Sequence, residues 1–175
     1  MIGSSWHKGC PIPLRRLRLL RMNHWGFDQQ VHEGKMIVRR VWARPVLTVF
    51  ATLFRARFPI HRIALADVYG DDDHKLMKAN ITSAFDCRPV EGHPGVWSEH
   101  AYGRAIDVNP GQNPYVSGTT VLPPAGERYL NRKKVRPGMI IGGRVVVRAF
   151  AAIGWGWGGH FRSLKDYMHF SSTGR

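Results

Sequence analysis

The sequence predicts a small α+β domain, for three reasons. Several short segments have the β-branched content and partial alternation of strands, and they outnumber the helical segments. The strand-like segments follow one another through short turns, as in antiparallel sheets, and only two helices are expected among them. The length of 175 residues suits one domain with one core. We therefore treat residues 1–175 as a single domain.

The first half of the chain is predicted to run strand, helix, strand. Residues 36–42 and 61–69 are rich in β-branched or aliphatic side chains, which predicts a strand in each. Between them, residues 45–56 predict a helix, with Pro45 in its first turn and Pro59 shortly after its end.

The second half is predicted to contain short strands and one further helix. We expect strands at residues 82–88, 104–108 and 166–171, and a helix at residues 143–153. Residues 113–138 contain four prolines and three glycines and form the least regular part of the chain. Long irregular excursions in compact domains are often functional.

The chain is strongly basic, with a formal net charge of +14. Such a charge attracts polyanions, and nucleic acid, anionic lipid and anionic bacterial wall polymers all qualify. No recognised nucleic-acid-binding motif accompanies the charge, so we expect no specific nucleic-acid partner. The charge alone does not choose among the remaining polyanions.

Two cysteines, Cys10 and Cys87, lie far apart and form no CxxC motif. This arrangement excludes a zinc knuckle and a dithiol redox motif, and leaves either two reduced thiols or one disulfide. The longest apolar stretch, residues 46–54, is about half of the roughly 20 residues that a membrane helix needs. The sequence therefore predicts no membrane span, and its N-terminus has no recognisable secretory signal.

Residues 98–107, SEHAYGRAID, place His100 and Asp107 on either side of a glycine that lets the backbone turn. If the second half of this segment is a strand, Asp107 projects into a site while Ile106 packs into the core. Imidazole and carboxylate groups are good zinc ligands, and a catalytic zinc typically takes three protein ligands and one water. The segment predicts two of those three ligands.

Residues 166–170, DYMHF, offer the third ligand, His169. An acid three residues earlier, Asp166, can stand beside the metal and accept a proton from water. Each of these signals is weak alone, because the chain has nine histidines and twelve acids. An isolated histidine in an apolar strand is more often a core residue than a ligand. The ordered combination is far more specific.

That combination, SxHxxGxAxD followed downstream by DxxHF, resembles the zinc D,D-carboxypeptidases, D-alanyl-D-alanine dipeptidases and L-alanyl-D-glutamate endopeptidases of bacterial walls and phage endolysins. The resemblance is supported outside the motifs by residues 80–88, 109–110, 112–115 and 155–159. It covers a core of about residues 10–171. It implies the hedgehog/DD-peptidase fold, a central antiparallel sheet flanked by a few helices.

Carried over by position, the resemblance assigns a role to each matching residue. His100, Asp107 and His169 become the zinc ligands, and Asp166 becomes the catalytic base. Arg88 aligns with an arginine that polarises the scissile carbonyl and stabilises the oxyanion. Ser98 and Trp157 are implied to contact substrate. A surface arginine, a turn-capping serine and a tryptophan that anchors its Gly-rich turn to the core are the ordinary alternatives for the last three.

The resemblance implies a zinc-dependent peptidase that hydrolyses a bond next to a D-amino acid in peptidoglycan stem peptides. The terminal D-Ala-D-Ala bond is the preferred target, and the L-Ala-D-Glu bond is the alternative. A zinc-binding domain without turnover, as in the hedgehog relatives, is a further alternative. The family implies an extracytoplasmic location, in the periplasm, in the wall or secreted. We expect a monomer, with anionic wall polymers as possible additional partners.

Overall fold

The α+β prediction is confirmed by the computed structural model, which describes residues 5–70 and 72–174. The α-helices are α1 (Ala43–Arg55), α2 (Asp73–Lys78) and α3 (Val145–Ala151). The strands are β1 (Leu17–Trp25), β2 (Val31–Arg39), β3 (Arg62–Ile63), β4 (Ile81–Thr82), β5 (Pro89–Val90), β6 (His93–Trp97), β7 (Ala105–Asp107), β8 (Tyr115–Ser117), β9 (Thr120–Leu122), β10 (Gly156–Trp157), β11 (Lys165–Asp166) and β12 (His169–Ser171). Short 3-10 helices connect several of them, at Leu14–Arg16, Arg40–Trp42, Ala66–Tyr69, Glu99–Tyr102, Pro124–Tyr129 and Gly158–His160.

The strands are grouped into several small sheets. β1 and β2 form a long antiparallel hairpin, and β7, β12 and β10 form a three-stranded antiparallel sheet. β8, β9 and β11 form a second antiparallel sheet, while β3 and β4 pair in parallel. The sheet of β7, β12 and β10 positions the candidate site.

The two faces of that sheet have different roles. On the inner face, Ile106 of β7 lies opposite Phe170 of β12, and both are fully buried. The Phe170 ring stacks on Phe150 of α3, with ring centroids 4.0 Å apart. On the other face, Asp107 lies directly opposite His169. The predicted alternation of Ile106 and Asp107 is therefore confirmed, and burial of the inner face fixes the register of the outer one.

The hydrophobic core lies between this sheet, the β1–β2 hairpin and the helices α1 and α3. The predicted helix at residues 45–56 is confirmed as α1, with Pro45 in its first turn, where its missing N–H costs nothing. The buried residues of α1 recur at helical spacing: Val46, Val49, Phe50 and Leu53.

Other predicted boundaries were wrong. The strand expected at residues 36–42 begins earlier and ends at Arg39, where a 3-10 turn follows. The strand expected at residues 61–69 is confined to β3. The single strand expected at residues 166–171 is two strands, β11 and β12, which belong to different sheets. The chain changes sheet between them because Tyr167 N–H bonds to the Pro114 carbonyl, whereas the Met168 carbonyl accepts from β7's neighbour Val108.

The irregular stretch at residues 113–138 folds as the β8–β9 hairpin and a 3-10 helix, and one half-buried arginine, Arg132, holds it in place. The Arg132 guanidinium donates to the carbonyls of Gln112, Tyr129 and Ile140 and to Asn113 Oδ1, and stacks on the Tyr167 ring. Burial lowers the pKa of Arg132 to about 10, so the side chain stays protonated at neutral pH. The stretch is therefore an ordered wall rather than a loose loop.

Cys10 and Cys87 form a disulfide, which resolves the alternative left open by the sequence. The bridge fastens the N-terminal segment to the segment that precedes β5. Cys87 N–H also donates to the Ser5 carbonyl at 3.0 Å. Among the described residues, none of the helices has the length and apolar content needed to cross a membrane.

Candidate active site

Three predicted metal ligands, His100, Asp107 and His169, converge at one point. His100 Nε2 lies 3.3 Å from His169 Nδ1 and 3.2 Å from Asp107 Oδ2. His169 Nδ1 lies 3.0 Å from Asp107 Oδ1. All three residues are buried or nearly so, with at most 8% of their surface exposed. The cross-strand pairing of β7 with β12 brings Asp107 and His169 together, and a separate segment supplies His100.

His100 is positioned by the 3-10 helix Glu99–Tyr102 and the glycine after it. Ser98 Oγ accepts a hydrogen bond from His100 N–H at 3.3 Å and so caps this helix. Gly103 has a φ of +63°, and a Cβ there would lie 2.7 Å from the backbone nitrogen of Arg39. The turn expected at this glycine therefore requires glycine on both conformational and steric grounds.

The tautomer of His100 is set by its surroundings. The His100 Nδ1–H donates to the Ala84 carbonyl, 2.6 Å away, because a carbonyl can only accept. In the neutral ring the lone pair is therefore on Nε2, the nitrogen that faces Asp107 and His169. When Nε2 carries a proton instead, it donates to Asp107 Oδ2. An outer hydrogen bond such as the one to Ala84 is the usual arrangement for a metal-binding histidine, because it fixes the ring and raises the basicity of the ligating nitrogen.

Asp107 is held in its anionic form. Burial acts to raise the pKa of this carboxyl, but the charges and hydrogen bonds of His100 and His169 outweigh burial and keep the pKa well below its usual range. The cluster thus presents two imidazole nitrogens and one carboxylate.

The spacing of these donors suits a zinc ion. Zinc binds nitrogen and oxygen ligands at about 2.0–2.1 Å in a tetrahedron, whose corners are then about 3.3 Å apart. The three separations, from 3.0 to 3.3 Å, lie close to that value. His100, Asp107 and His169 could therefore hold a metal ion, and all three line the adjoining cleft.

Asp166 lies in the same cleft as the three candidate ligands. Its Oδ1 is shielded from solvent and has no hydrogen-bond partner among the described residues. Burial raises the pKa of Asp166 to about 7. The negative charges of Asp107 and Asp73 also raise this pKa, whereas the nearby His169 and His100 lower it. A divalent cation at the ligand cluster would lower this pKa, since it favours the charged carboxylate.

Arg88 also faces the cleft, held by two carboxylates. Its Nη2 lies 2.8 Å from Asp73 Oδ2, and its Nε lies 3.2 Å from Asp86 Oδ2. Burial acts to lower the pKa of Arg88, but Asp73, Asp86 and Asp107 outweigh it and raise the pKa. Arg88 is thus largely buried and paired with two carboxylates rather than free on the surface.

The cleft has a volume of about 460 Å³, and three parts of the chain form its walls around the candidate ligands. α2 contributes Asp73 and Met77, and the β5–β6 region contributes Val90 and Glu91. The β8–β9 hairpin contributes Tyr115, Ser117, Thr120 and Leu122. The irregular stretch expected to be functional therefore forms part of the cleft.

Sequence reasoning missed Asp73 and Asp86 as partners of Arg88. A signal for Asp86 was present, because residues two apart in an extended segment point to the same side. Asp73 gave no such signal, because its helix lies apart in sequence and contacts Arg88 only in the folded chain.

The two residues implied to contact substrate have different positions. Ser98 lines the cleft as well as capping its helix. Trp157 does not: it is only 7% exposed, packs in the core, and donates from Nε1 to the Tyr167 carbonyl at 2.9 Å. The structure thus favours the anchoring role for Trp157, directly behind the segment that carries Asp166.

Comparison with protein families agrees with this geometry. Residues 91–172 match the family described as D-alanyl-D-alanine carboxypeptidase. The match covers slightly less than half of the chain. The resemblance drawn from the motifs is thereby confirmed, and it supports a metallopeptidase that acts on cell-wall peptides. The match includes the three candidate ligands and Asp166, whereas Arg88 precedes it.

Neither the curated proteins nor the solved structures compared with the chain gave a match.

Proposed function

We propose that this chain is a zinc enzyme that hydrolyses a peptide bond next to a D-amino acid in peptidoglycan stem peptides. The terminal D-Ala-D-Ala bond is the first candidate. One observation carries the proposal: the cluster of His100, Asp107 and His169 opens into a cleft that also contains the unpaired carboxylate oxygen of Asp166. A set of metal ligands, an adjoining cleft for the substrate and a nearby carboxylate are the groups that metal-assisted hydrolysis uses.

The three clustered residues hold the metal in this proposal. Bound zinc supplies Lewis-acid activation of a water molecule and of the scissile carbonyl. The protein's part is to keep the three donors fixed, through the paired strands β7 and β12 and through the His100 hydrogen bond to Ala84.

Asp166 acts as general base and then as general acid. Its Oδ1 accepts a proton from the attacking water and returns it to the leaving amine. A bound cation would lower the pKa of Asp166 below the value of about 7 that burial sets, so the carboxyl would be ionised and able to accept a proton at neutral pH. The absence of a competing hydrogen bond to Oδ1 within the described residues leaves this atom available to water.

Arg88 stabilises the negative charge that develops on the carbonyl oxygen. A guanidinium held in place before the reaction needs little reorganisation in the transition state. Asp73 and Asp86 provide that placement from two sides. Ser98, at the cleft wall, is proposed to contact the substrate.

The disulfide supports an extracytoplasmic location, as does the family. Disulfides persist in oxidising compartments and are rare in the reducing cytosol. We therefore place the proposed activity in the periplasm, in the wall or outside the cell.

The test is mass spectrometry of defined stem peptides after incubation with zinc-loaded protein, with and without a chelator. We expect loss of the terminal D-Ala, which stops with chelator and returns when zinc is added back. Cleavage between L-Ala and D-Glu would assign the endopeptidase activity instead. If both peptides stay intact while zinc is bound, the proposal of a peptidase is wrong and a binding domain replaces it.

A further inference from the structure

A second cavity lies apart from the active-site cleft and shares none of its lining residues. It has a volume of about 370 Å³ and is formed where the chain after α1 meets the chain before and within α3. We call it the arginine groove. Its lining residues are Ala56, Arg57, Phe58, Pro59, Val135, Arg136, Pro137, Gly138, Met139, Ile141, Arg144, Val145 and Val146.

The groove combines three arginines with an apolar floor and has no acidic lining residue. Arg57 and Arg144 are exposed, and Arg136 is half-buried. Within residues 5–70 and 72–174, none of the three guanidinium groups has an ion pair or donates a hydrogen bond. All of their donors therefore remain available to a ligand.

Two of these arginines lie over aromatic rings. The Arg57 guanidinium carbon lies 4.7 Å from the centre of the Trp25 ring, and that of Arg136 lies 5.5 Å from the centre of the Tyr129 ring. A cation–π contact of this kind restrains the guanidinium without using its N–H donors in hydrogen bonds. The fork geometry suits phosphate, which it can bind with two parallel hydrogen bonds.

The two segments that form the arginine groove are rich in basic residues and contain no acidic ones. Residues 34–66 contain seven Lys and Arg and no acid, and residues 128–165 contain nine and no acid. The arginine groove is built from these two segments. The active-site cleft, by contrast, is lined by Asp73, Glu91, Asp107 and Asp166, and its one arginine, Arg88, is paired with carboxylates. A polyanion is thus attracted more strongly to the groove than to the cleft.

We propose that the arginine groove binds a linear phosphodiester polymer of the bacterial wall. The choice of a wall polymer rests on the proposed function, whereas the anion site rests on the groove alone. Nucleic acid fits less well, because single strands bind by stacking their bases on aromatic rings and Phe58 is the groove's one aromatic lining residue. The apolar floor instead suits the carbon backbone of an alditol phosphate.

The test measures binding of fluorescent poly(glycerol phosphate) to the full chain at low and moderate salt. The groove variant is Arg57→Gln/Arg136→Gln/Arg144→Gln, and its control, Arg15→Gln/Arg16→Gln/Arg40→Gln, removes the same charge from exposed positions outside the groove. We expect at least tenfold weaker binding for the groove variant and less than threefold for the control. Raising salt should weaken wild-type binding steeply.

Equal losses in the two variants would overturn the proposal, because net charge alone would then explain binding. Tighter binding of a single-stranded DNA of equal charge would also overturn it, in favour of a nucleic-acid groove. The double variant Arg57→Gln/Arg144→Gln, at two exposed positions, gives the same test if the triple variant does not fold. Hydrolysis of a short soluble peptide, measured in parallel, should be unchanged, so failure of the peptidase proposal would be seen separately.

Discussion

The carboxyl group of Asp166 illustrates how the site combines function with a cost in stability. It is placed where burial disfavours its charge and raises its pKa from 3.8 to about 7. An acid with a raised folded-state pKa destabilises the fold when it is ionised. The cost is full above about pH 7 and declines as the pH falls toward 3.8.

Replacement of Asp166 by Asn should therefore separate activity from stability. We expect turnover to fall about 10²–10⁴-fold, the usual contribution of a general base, with zinc still bound. In metal-free protein at pH 8, the variant should be more stable by about 1–3 kcal/mol, less than the full pKa shift implies because the site relaxes. Thermal unfolding at pH 8 and at pH 4.5 checks this, and the gain should shrink at the lower pH. Unchanged turnover would contradict the role of Asp166.

Asp86 and Asp73 are expected to act through Arg88 rather than on the substrate. Asp86 is 4% exposed and lies against the Arg88 Nε, while Asp73 contacts Nη2. Their removal should let the guanidinium turn away from the position that the developing oxyanion needs.

For Asp86→Asn we expect kcat to fall about tenfold or more, with zinc content unchanged and KM altered less, since one oriented donor is worth about 10²–10³ in rate. Glu33→Gln is the matched control, because Glu33 forms an exposed ion pair with Arg21. Exposed pairs contribute about 0–1 kcal/mol, so this control should behave as wild type. Steady-state kinetics of the two variants decide the matter, and equal behaviour would show that Asp86 does not position Arg88.

Among the helices, strands and turns, the sequence predicted those whose form depends on residues close together in the chain. The helix α1 followed from apolar residues at helical spacing after Pro45. The position of Asp107 followed from alternation with Ile106, because a strand can bury only one of two neighbouring side chains on one face. The turn between His100 and Asp107 followed from Gly103.

The elements that were missed depend on contacts between distant parts of the chain. The division of residues 166–171 into β11 and β12 comes from two different partners, β8 and β7, which the local sequence does not reveal. The order of residues 113–138 comes from the half-buried guanidinium of Arg132, whose partners are mostly backbone carbonyls, which every residue possesses. Carbonyl partners leave no signature in a sequence.

The disulfide is an element-scale feature with a measurable effect. It joins residues 77 positions apart and fastens the N-terminal segment next to Arg88. Cys10→Ser/Cys87→Ser should lower stability by about 2–4 kcal/mol, the usual effect of removing such a link. Wild-type protein with the bridge reduced by a dithiol should unfold at the same temperature as the variant. Two free thiols titrated in denatured, unreduced wild type would contradict the bridge.

For the whole molecule, charge is segregated between two concave surfaces. The cleft contains the acidic groups that a metal and a base require, and the arginine groove contains cations without partners. The net charge of +14 therefore does not describe the surface that meets the peptide. The basic groove and the proposed catalytic site are therefore separate surfaces of the chain.

The central claim is that His100, Asp107 and His169 hold the zinc ion of a peptidase. The most direct test is the zinc content of the purified chain after dialysis, measured by elemental mass spectrometry. We predict one equivalent in wild type, none after treatment with chelator, and none in His169→Ala. The control His160→Ala, at an exposed histidine outside the cluster, should keep its zinc. Wild type without zinc, or His169→Ala with a full equivalent, would contradict the claim.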